Sequence, residues 1–562
     1  MDLKRSSFEF HRQLESPSGF LRREWKPIAM CGGLFSVAML ACIAFIDPAF
    51  FYPRLQTDPL NYYLKAKSIA ETGSAAATWA VNLKPFAYVT MPGLLRVPMV
   101  MAFPDFDDQL RAIQVVNVAL LATVALMSAY VFSWMVPRSR HSLVIAFAFV
   151  FTLLSPIWVA NIFLPLADAP YAAATLAAIF VGLELVTSTQ RIIHRPLLTA
   201  LVVVLFALAF LLRFTAPVLM LFFAPLALAR WRQDGATRKA LWQVGAIAAV
   251  SIALLVSFNL DAIFGRYFRE PILFLRKGEK IGMLVNVIGA AIPSQIVPTF
   301  QLGFLHPPIS DIYSTTFSNA PQDIAWACVG IFISCIVIAG MWFSRQRMLP
   351  EILYLLAGLP VIGLMMPSTT RYLMSYQPFF WIFFYVGAAT LSHRHAPVIV
   401  RLVRSRRAVV AGVVIAAAGI IGLRAWKVAG TASERYFAVT AGHITTYVTD
   451  VSDTFRSLRH FVEGLPKEKT LLIGTRGSLG RWKAISDRNY YYPDSALSEM
   501  VENNDVYLLI ECGTLEACQA WDKWRSQTEE RLQTFGDFRY ESVFAASSGR
   551  ARVEALRMSI AQ

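Results

Sequence analysis

AIQVVNVALLATVALMSAYVFSWMVPRSRHSLVIAFAFVFTLLSPIWVAN, residues 112–161, decides the fold. Two apolar runs, each near the roughly 20 residues that cross a bilayer as a helix, flank a turn carrying Arg138 and Arg140. A chain in lipid must satisfy its backbone polar groups internally, so such runs read as helices. Working outward, further apolar spans fall near 28–46, 171–187, 197–212, 214–229, 241–258, 324–343, 352–366, 379–391 and 408–424. That makes about eleven crossings, several of them short. The composition agrees: of 562 residues 56% are hydrophobic and the mean hydropathy is +0.49, far above an ordinary soluble domain.

Charge orients the spans. With a cytoplasmic N-terminal segment (1–27), one side of the membrane receives Arg22, Arg23 and Lys26, then Arg138 and Arg140, then Arg191 and Arg195. Arg230, Arg232, Arg238 and Lys239 follow, then Arg345 and Arg347, and finally Arg394, Arg401, Arg404, Arg406 and Arg407. Every second connection is basic, as the positive-inside rule requires. The net charge of +15 is therefore a topological signal. The basic residues form no single stripe, so nucleic acid is not among the expected partners. The first apolar segment has no small-residue cleavage site after it and reads as a retained span.

The other side holds loops 47–111, 162–170 and 259–323 and a tail, 425–562, leaving 28–424 as the membrane module. Within the first loop AYVTMPGLLRVPMVMAFP is apolar, but Pro92 and Pro98 interrupt it, and a crossing there would put the arginines outside. It is assigned to the membrane surface. The tail reads as an extracytoplasmic α/β or α+β domain: TLLIG (470–474) and VYLLIE (506–511) are buried strands, and Leu515–Leu532 is a helix. Cys512 and Cys518 there are either a disulfide or two buried thiols. Cys31, Cys42, Cys328 and Cys335 lie in spans as small packing residues. Gly474, Gly477 and Gly480 follow a strand without the rest of a phosphate-binding motif, and there is no zinc spacing or nucleophile elbow.

Asp58, in TDPLNYYLKAKSIAETG, precedes a helix whose one face carries Tyr62, Ala66, Ile69 and Ala70. As a helix cap it satisfies orphan amides. Held there, it is also placed to act as a general base toward an acceptor hydroxyl. Asp168, in LPLADAPYAAA, stands before the fourth span on the same side; capping alone competes with a second catalytic acid or a shared divalent cation, Mg²⁺ or Mn²⁺. Arg371 and Tyr372, in PSTTRYLMSYQPFF, lie on the side that positive-inside disfavours for arginine. The alternatives are a headgroup anchor and a phosphate clamp that stabilises a leaving group. Arg266, Arg269, Arg276, Lys277, Lys280 and His306 crowd the 259–323 loop, mostly as a solvated or headgroup-facing surface. Trp79, Tyr88, Trp482 and Tyr490 to Tyr492 are either sugar-stacking rings or interface and core residues, the latter favoured.

An external first loop whose acid opens the pattern D-x-x-x-YY-x-x-A, a second external acid before the fourth span and a late R-Y-x-x-x-x-x-P together resemble the GT-C superfamily of integral-membrane glycosyltransferases, over about residues 28–392. The resemblance implies a polyprenyl-phosphate sugar donor, Asp58 as base, Asp168 as second acid and Arg371 as ligand of the lipid phosphate. Members of the aminoarabinose and protein-mannosyl type often carry Lys-Pro in the first loop. Here Met91-Pro92 takes that place, with Lys84-Pro85 as a displaced candidate, and no Asp-x-Asp occurs at Asp168. The implied reaction is inverting transfer to a glycan, lipid or protein hydroxyl, in which Asp58 withdraws the proton, a step worth about 10²–10⁴-fold. No second carboxylate acts as nucleophile. A transporter would need mid-membrane charge and often shows internal repeats, but apart from Glu184 near the end of a span and Arg213 between two spans the spans carry almost no charge, and no repeat is evident. A ligase or polymerase using a diphosphate-linked oligosaccharide shares the external arginines and histidine.

Overall fold

The computed structural model describes residues 10–11, 13–55, 57–73, 87–187, 196–213, 215–233, 288–289, 292–296, 321–365, 370–392, 441–474, 489–491, 493–512, 521–548 and 551–561, with Trp482, Ile485, Ser486 and Cys518. Ser16 opens the first helix, α1 (Pro17–Arg23), by accepting from the Gly19 amide at 3.1 Å. The apolar α2 (Trp25–Phe45) follows, then a 3-10 turn (Pro48–Arg54) started by Asp47, whose carboxylate accepts from the Ala49 amide at 2.9 Å. The first loop contributes α3 (Thr57–Thr72), α4 (Ala87–Leu94) and α5 (Val97–Ala102). Next come α6 (Phe106–Ser133), α7 (His141–Leu154), α8 (Pro156–Phe163), α9 (Asp168–Thr187), α10 (Pro196–Leu212) and α11 (Leu219–Gln233). The short α12 (Ile292–Ile296), α13 (Pro321–Ser344), α14 (Leu349–Met365), a second 3-10 turn (Thr370–Tyr376) and α15 (377–392) complete this part.

Most expected spans have a helix, with two corrections of detail. The run 142–161 is divided at Ser155, because Pro156 cannot continue the ladder of α7. The apolar stretch of the first loop is two helices of 8 and 6 residues, parted at Leu95 and Arg96; Pro92 sits inside the first and Pro98 opens the second. Spans 241–258 and 408–424 lie outside the described residues. Among the described residues three helices are long and apolar enough to cross a membrane, Trp25–Phe45, Phe106–Ser133 and Asp168–Leu185, so a count of about eleven is not established. On α2 Val37 is 67% and Phe45 89% exposed, a surface suited to lipid and costly in water.

Helices α13 and α15 cross at two glycines. A Cβ on Gly340 would land on the Phe383 carbonyl, and one on Gly387 on the Ile336 carbonyl. Only hydrogen fits at either place, the small-residue crossing typical of helices in lipid.

Polar contacts gather at the two ends of the bundle. At one end His11 bonds Glu351 at 2.6 Å, Ser18 bonds Glu184 at 2.9 Å, and Arg23 bonds His141 at 2.8 Å. At the other lie Asp47, Arg96, Asp105, Asp107, Asp168, Arg213 and the 370–376 turn. The same division separates the basic connections from the long loops in the sequence.

The C-terminal part begins with α16 (Ala441–Gly464), followed by β1 (Thr470–Gly474), β2 (Asn489–Tyr490), α17 (Leu497–Asn503), β3 (Asp505–Cys512), α18 (Trp521–Gln533), β4 (Phe538–Ser547) and β5 (Arg552–Ile560). The sheet order is β2-β1-β3-β5-β4, parallel among β2, β1 and β3 and antiparallel at β5 and β4. Alternate residues of β3 serve two cores. Val506, Leu508 and Ile510 face α17 and α18, while Tyr507 and Leu509 join the large cluster that runs through α16 into the membrane helices. The helix expected at 515–532 is described from Trp521, and Cys512 and Cys518 form the disulfide of the two alternatives.

Candidate functional site

The site is built around the turn between α8 and α9. Helix α8 ends at Phe163 with carbonyls that no further helical amide can reach. Two amides on one face of α6, three residues apart, supply the missing donors. Gln114 Nε2 donates to the Phe163 carbonyl at 3.1 Å, and Asn117 Nδ2 to those of Ile162 and Leu164 at 3.3 and 3.2 Å. Arg96 Nη2 donates to the Leu166 carbonyl at 2.5 Å. The Ala167 carbonyl receives the Tyr171 amide at 3.0 Å, so Ala167 holds the cap position and Asp168 is the first residue inside α9. The Asp168 carboxylate pairs with Arg213 Nη2 at the end of α10, and both residues are buried, 2% and 8% exposed.

Arg96 is buried as well and comes from the break between α4 and α5. Its other terminal nitrogen donates to the Pro92 carbonyl, and its guanidinium lies 5.7 Å from the centre of the Tyr62 ring. Asp168 is within its electrostatic reach. Gly93 lets α4 settle on α3: a Cβ there would stand 2.9 Å from Lys65 Cγ and 3.3 Å from the Ala66 amide nitrogen. Tyr62, Lys65, Arg96 and Asp168 therefore belong to one packed assembly. Its carboxylate is bonded to one guanidinium, Arg213, while a second, Arg96, lies within its electrostatic reach.

A further layer holds the 370–376 turn against the same assembly. Thr215 Oγ1 donates to the Tyr171 hydroxyl at 3.1 Å, and the Tyr354 hydroxyl to Ser375 Oγ at 3.4 Å. The rings of Tyr354 and Tyr376 stack at 4.4 Å, with Gly358 beneath the latter. Trp158 Nε1 donates to Gln377 Oε1 at 3.2 Å.

Of the residues expected from sequence, Asp168 is placed in full, against Arg213 and beside Arg96. Asp58 is the second residue of α3, and Arg371 and Tyr372 lie in the 370–376 turn; the side chains of all three are outside the described residues. Lys84, His306, Trp79 and the loop residues Arg266, Arg269, Arg276, Lys277 and Lys280 fall outside them too. Trp482 is buried in the C-terminal core, donating to Glu511 Oε2 at 3.1 Å, so the core reading holds for it. Among the described residues no three His, Cys, Asp or Glu side chains converge as metal ligands. Sequence reasoning passed over Arg96, Gln114 and Asn117. The signal for Arg96 was the one used for Arg371, an arginine on the side that positive-inside disfavours.

No protein-family model and no curated protein matches the sequence. Among solved structures, the chain is similar to ArnT from Cupriavidus metallidurans bound to undecaprenyl phosphate, with a TM-score of 0.47 and 11% identity over 93% of this chain and 97% of that one. The apo form of the same enzyme gives a TM-score of 0.46 and 12% identity over 92% and 97%. ArnT is a GT-C glycosyltransferase. A likeness of that degree assigns neither a residue nor a reaction to this chain.

Proposed function

We propose that this protein is an inverting membrane glycosyltransferase that moves a sugar from a polyprenyl-phosphate donor to an acceptor hydroxyl at the extracytoplasmic face. The observation that carries the reading is the buried Arg96–Asp168–Arg213 cluster, packed where the helix bearing Asp58 and the turn bearing Arg371 approach the same end of the bundle. Buried guanidinium groups suit a phosphate group, since their donors match phosphate oxygens and gain strength where water is scarce. The Asp168 carboxylate is held by Arg213, so Asp168 serves to aim Arg213, and Asp58 remains the base. In this scheme Arg371 adds to the phosphate grip, and Lys84 and His306 are its other candidate ligands. The membrane module is 28–424, with residues 1–27 cytoplasmic and 425–562 outside.

The reaction then needs little covalent help. Asp58 takes the acceptor proton as its oxygen attacks the anomeric carbon, and the lipid phosphate departs against the arginines. The test is mass spectrometry of polyprenyl lipids and envelope glycans from cells making the wild type or Asp58→Asn at matched levels. Accumulation of a polyprenyl-monophosphate sugar, with one sugar missing from an envelope product, supports the reading and names the donor. Accumulation of a diphosphate-linked oligosaccharide would move it to a ligase or polymerase. Unchanged profiles, where deletion of the protein does change them, would reduce Asp58 to a cap.

A further inference from the structure

The turn that leads into the helix carrying Asp58 is tied from a distance of some four hundred residues. Helix α16 has one face in the large core through Val451, Phe455, Leu458 and Val462. Another face presents Arg456 and Arg459, one turn apart, to the first loop. Arg459 Nη1 donates to the Tyr52 hydroxyl at 2.8 Å and lies 3.0 Å from Asp107 Oδ2; its Nη2 meets Asp105 Oδ1 at 2.6 Å, and its Nε meets Glu463 at 2.7 Å. Tyr52 donates in turn to Asp107 Oδ1 at 2.6 Å, and Arg456 pairs with Asp47. The acids held in this way are structural ends. Asp47 caps the 48–54 turn and Asp105 caps α6, accepting from the Asp107 amide at 2.8 Å. Tyr52 is 1% exposed, and after it the turn runs on into α3 at Thr57.

Four carboxylates, Asp47, Asp105, Asp107 and Glu463, thus face two arginines. Without the arginines the acids would repel one another and the turn would lose its outer anchor. Arg459 bridges the 48–54 turn, through Tyr52, and the start of α6, through Asp105 and Asp107, because a planar guanidinium can donate in several directions at once.

We propose that Arg459 is a positioning residue for the transfer reaction: acting through Tyr52 and the 48–54 turn, it fixes where α3 begins and hence where the Asp58 carboxylate stands. This rests on the reading of Asp58 as the base. The C-terminal domain is then a working part of the site and not an appendage, although none of its residues need touch the reacting atoms.

The test uses the full chain in membranes, comparing wild type with Arg459→Ala, Arg459→Lys, Tyr52→Phe and Asp58→Asn. Hydrogen exchange over residues 48–72 is expected to rise about tenfold in Arg459→Ala, less in Tyr52→Phe and Arg459→Lys, with β1, β3 and β5 unchanged. In cells, Arg459→Ala should reproduce the lipid build-up of Asp58→Asn, and Arg459→Lys should relieve part of it. Exchange that is unaltered in 48–72, or raised equally through the sheet, overturns the proposal. Tyr52→Phe, which removes one hydroxyl and no charge, guards against an Arg459→Ala chain that fails to fold. If Asp58→Asn leaves the envelope product intact, the assignment of the base falls, and exchange still reports whether the clamp holds α3.

Discussion

Asp168 and Arg213 form the best-placed charged pair of the site, and their burial sets what substitution should do. Asp168→Ala removes the carboxylate that buried Arg213 donates to, which should cost about 3–5 kcal/mol and show as a lowered melting temperature in detergent. Replacing both partners, Asp168→Leu with Arg213→Met, removes the charges together and should be near neutral for stability while still abolishing transfer. If the double variant transfers sugar normally, the pair is structural. Asp168 was legible in sequence as an external acid at a helix start, and Arg213 as a rare charge between spans. Their pairing was not, because residues 45 positions apart meet only through the packing of α9 on α10.

Gln114 and Asn117 belong to the scale of the element. Both sit in an apolar helix where a polar side chain invites a reading as part of a transport path, yet they hydrogen-bond the end of α8 and so hold the turn before Asp168. Gln114→Leu should strand the Phe163 carbonyl and cost about 1–3 kcal/mol, read by thermal unfolding, with a matching loss of transfer as the turn relaxes. Gly93→Ala tests the packing of α4 on α3. The added methyl must push Lys65 aside, with an expected cost of about 1–3 kcal/mol. Helix positions were readable because apolar runs and prolines act locally. The strand β4 was not, since it is mostly exposed, mixes polar with apolar residues and lacks the buried signature that marked β1 and β3.

The clamp of α16 on the first loop has a sign with pH. Burial would raise Asp105, but hydrogen bonds from Arg459 and from the backbone amides of Asp107 and Asp108 outweigh it and hold the carboxyl below its ordinary 3.8. Its contribution is therefore full above the ordinary value and lost as the pH falls through the lowered one. The clamp should hold to about pH 4 and open below, measured as protease access to residues 48–72.

At the scale of the whole molecule, the two polar ends make topology testable. A cysteine placed at exposed Glu502 should react with a membrane-impermeant maleimide from outside intact cells, and one at Arg138 only after permeabilisation. Labelling in the opposite sense would invert the reading and move the chemistry to the other face. The helical plan was legible because hydropathy is summed over many residues. The approach of α16 to the first loop depends on contacts across most of the chain, and no local pattern announces it.

The crossing of α13 and α15 has a consequence for the order in which the protein is made. Those helices are not consecutive: α14 lies between them in the chain, so Gly340 and Gly387 can meet only after the ribosome has delivered all three. The contact is thus a late closure, reached by helices already inserted. A side chain added at either glycine should leave insertion intact and arrest assembly afterwards, yielding a full-length chain that is placed in the membrane and then removed by quality control.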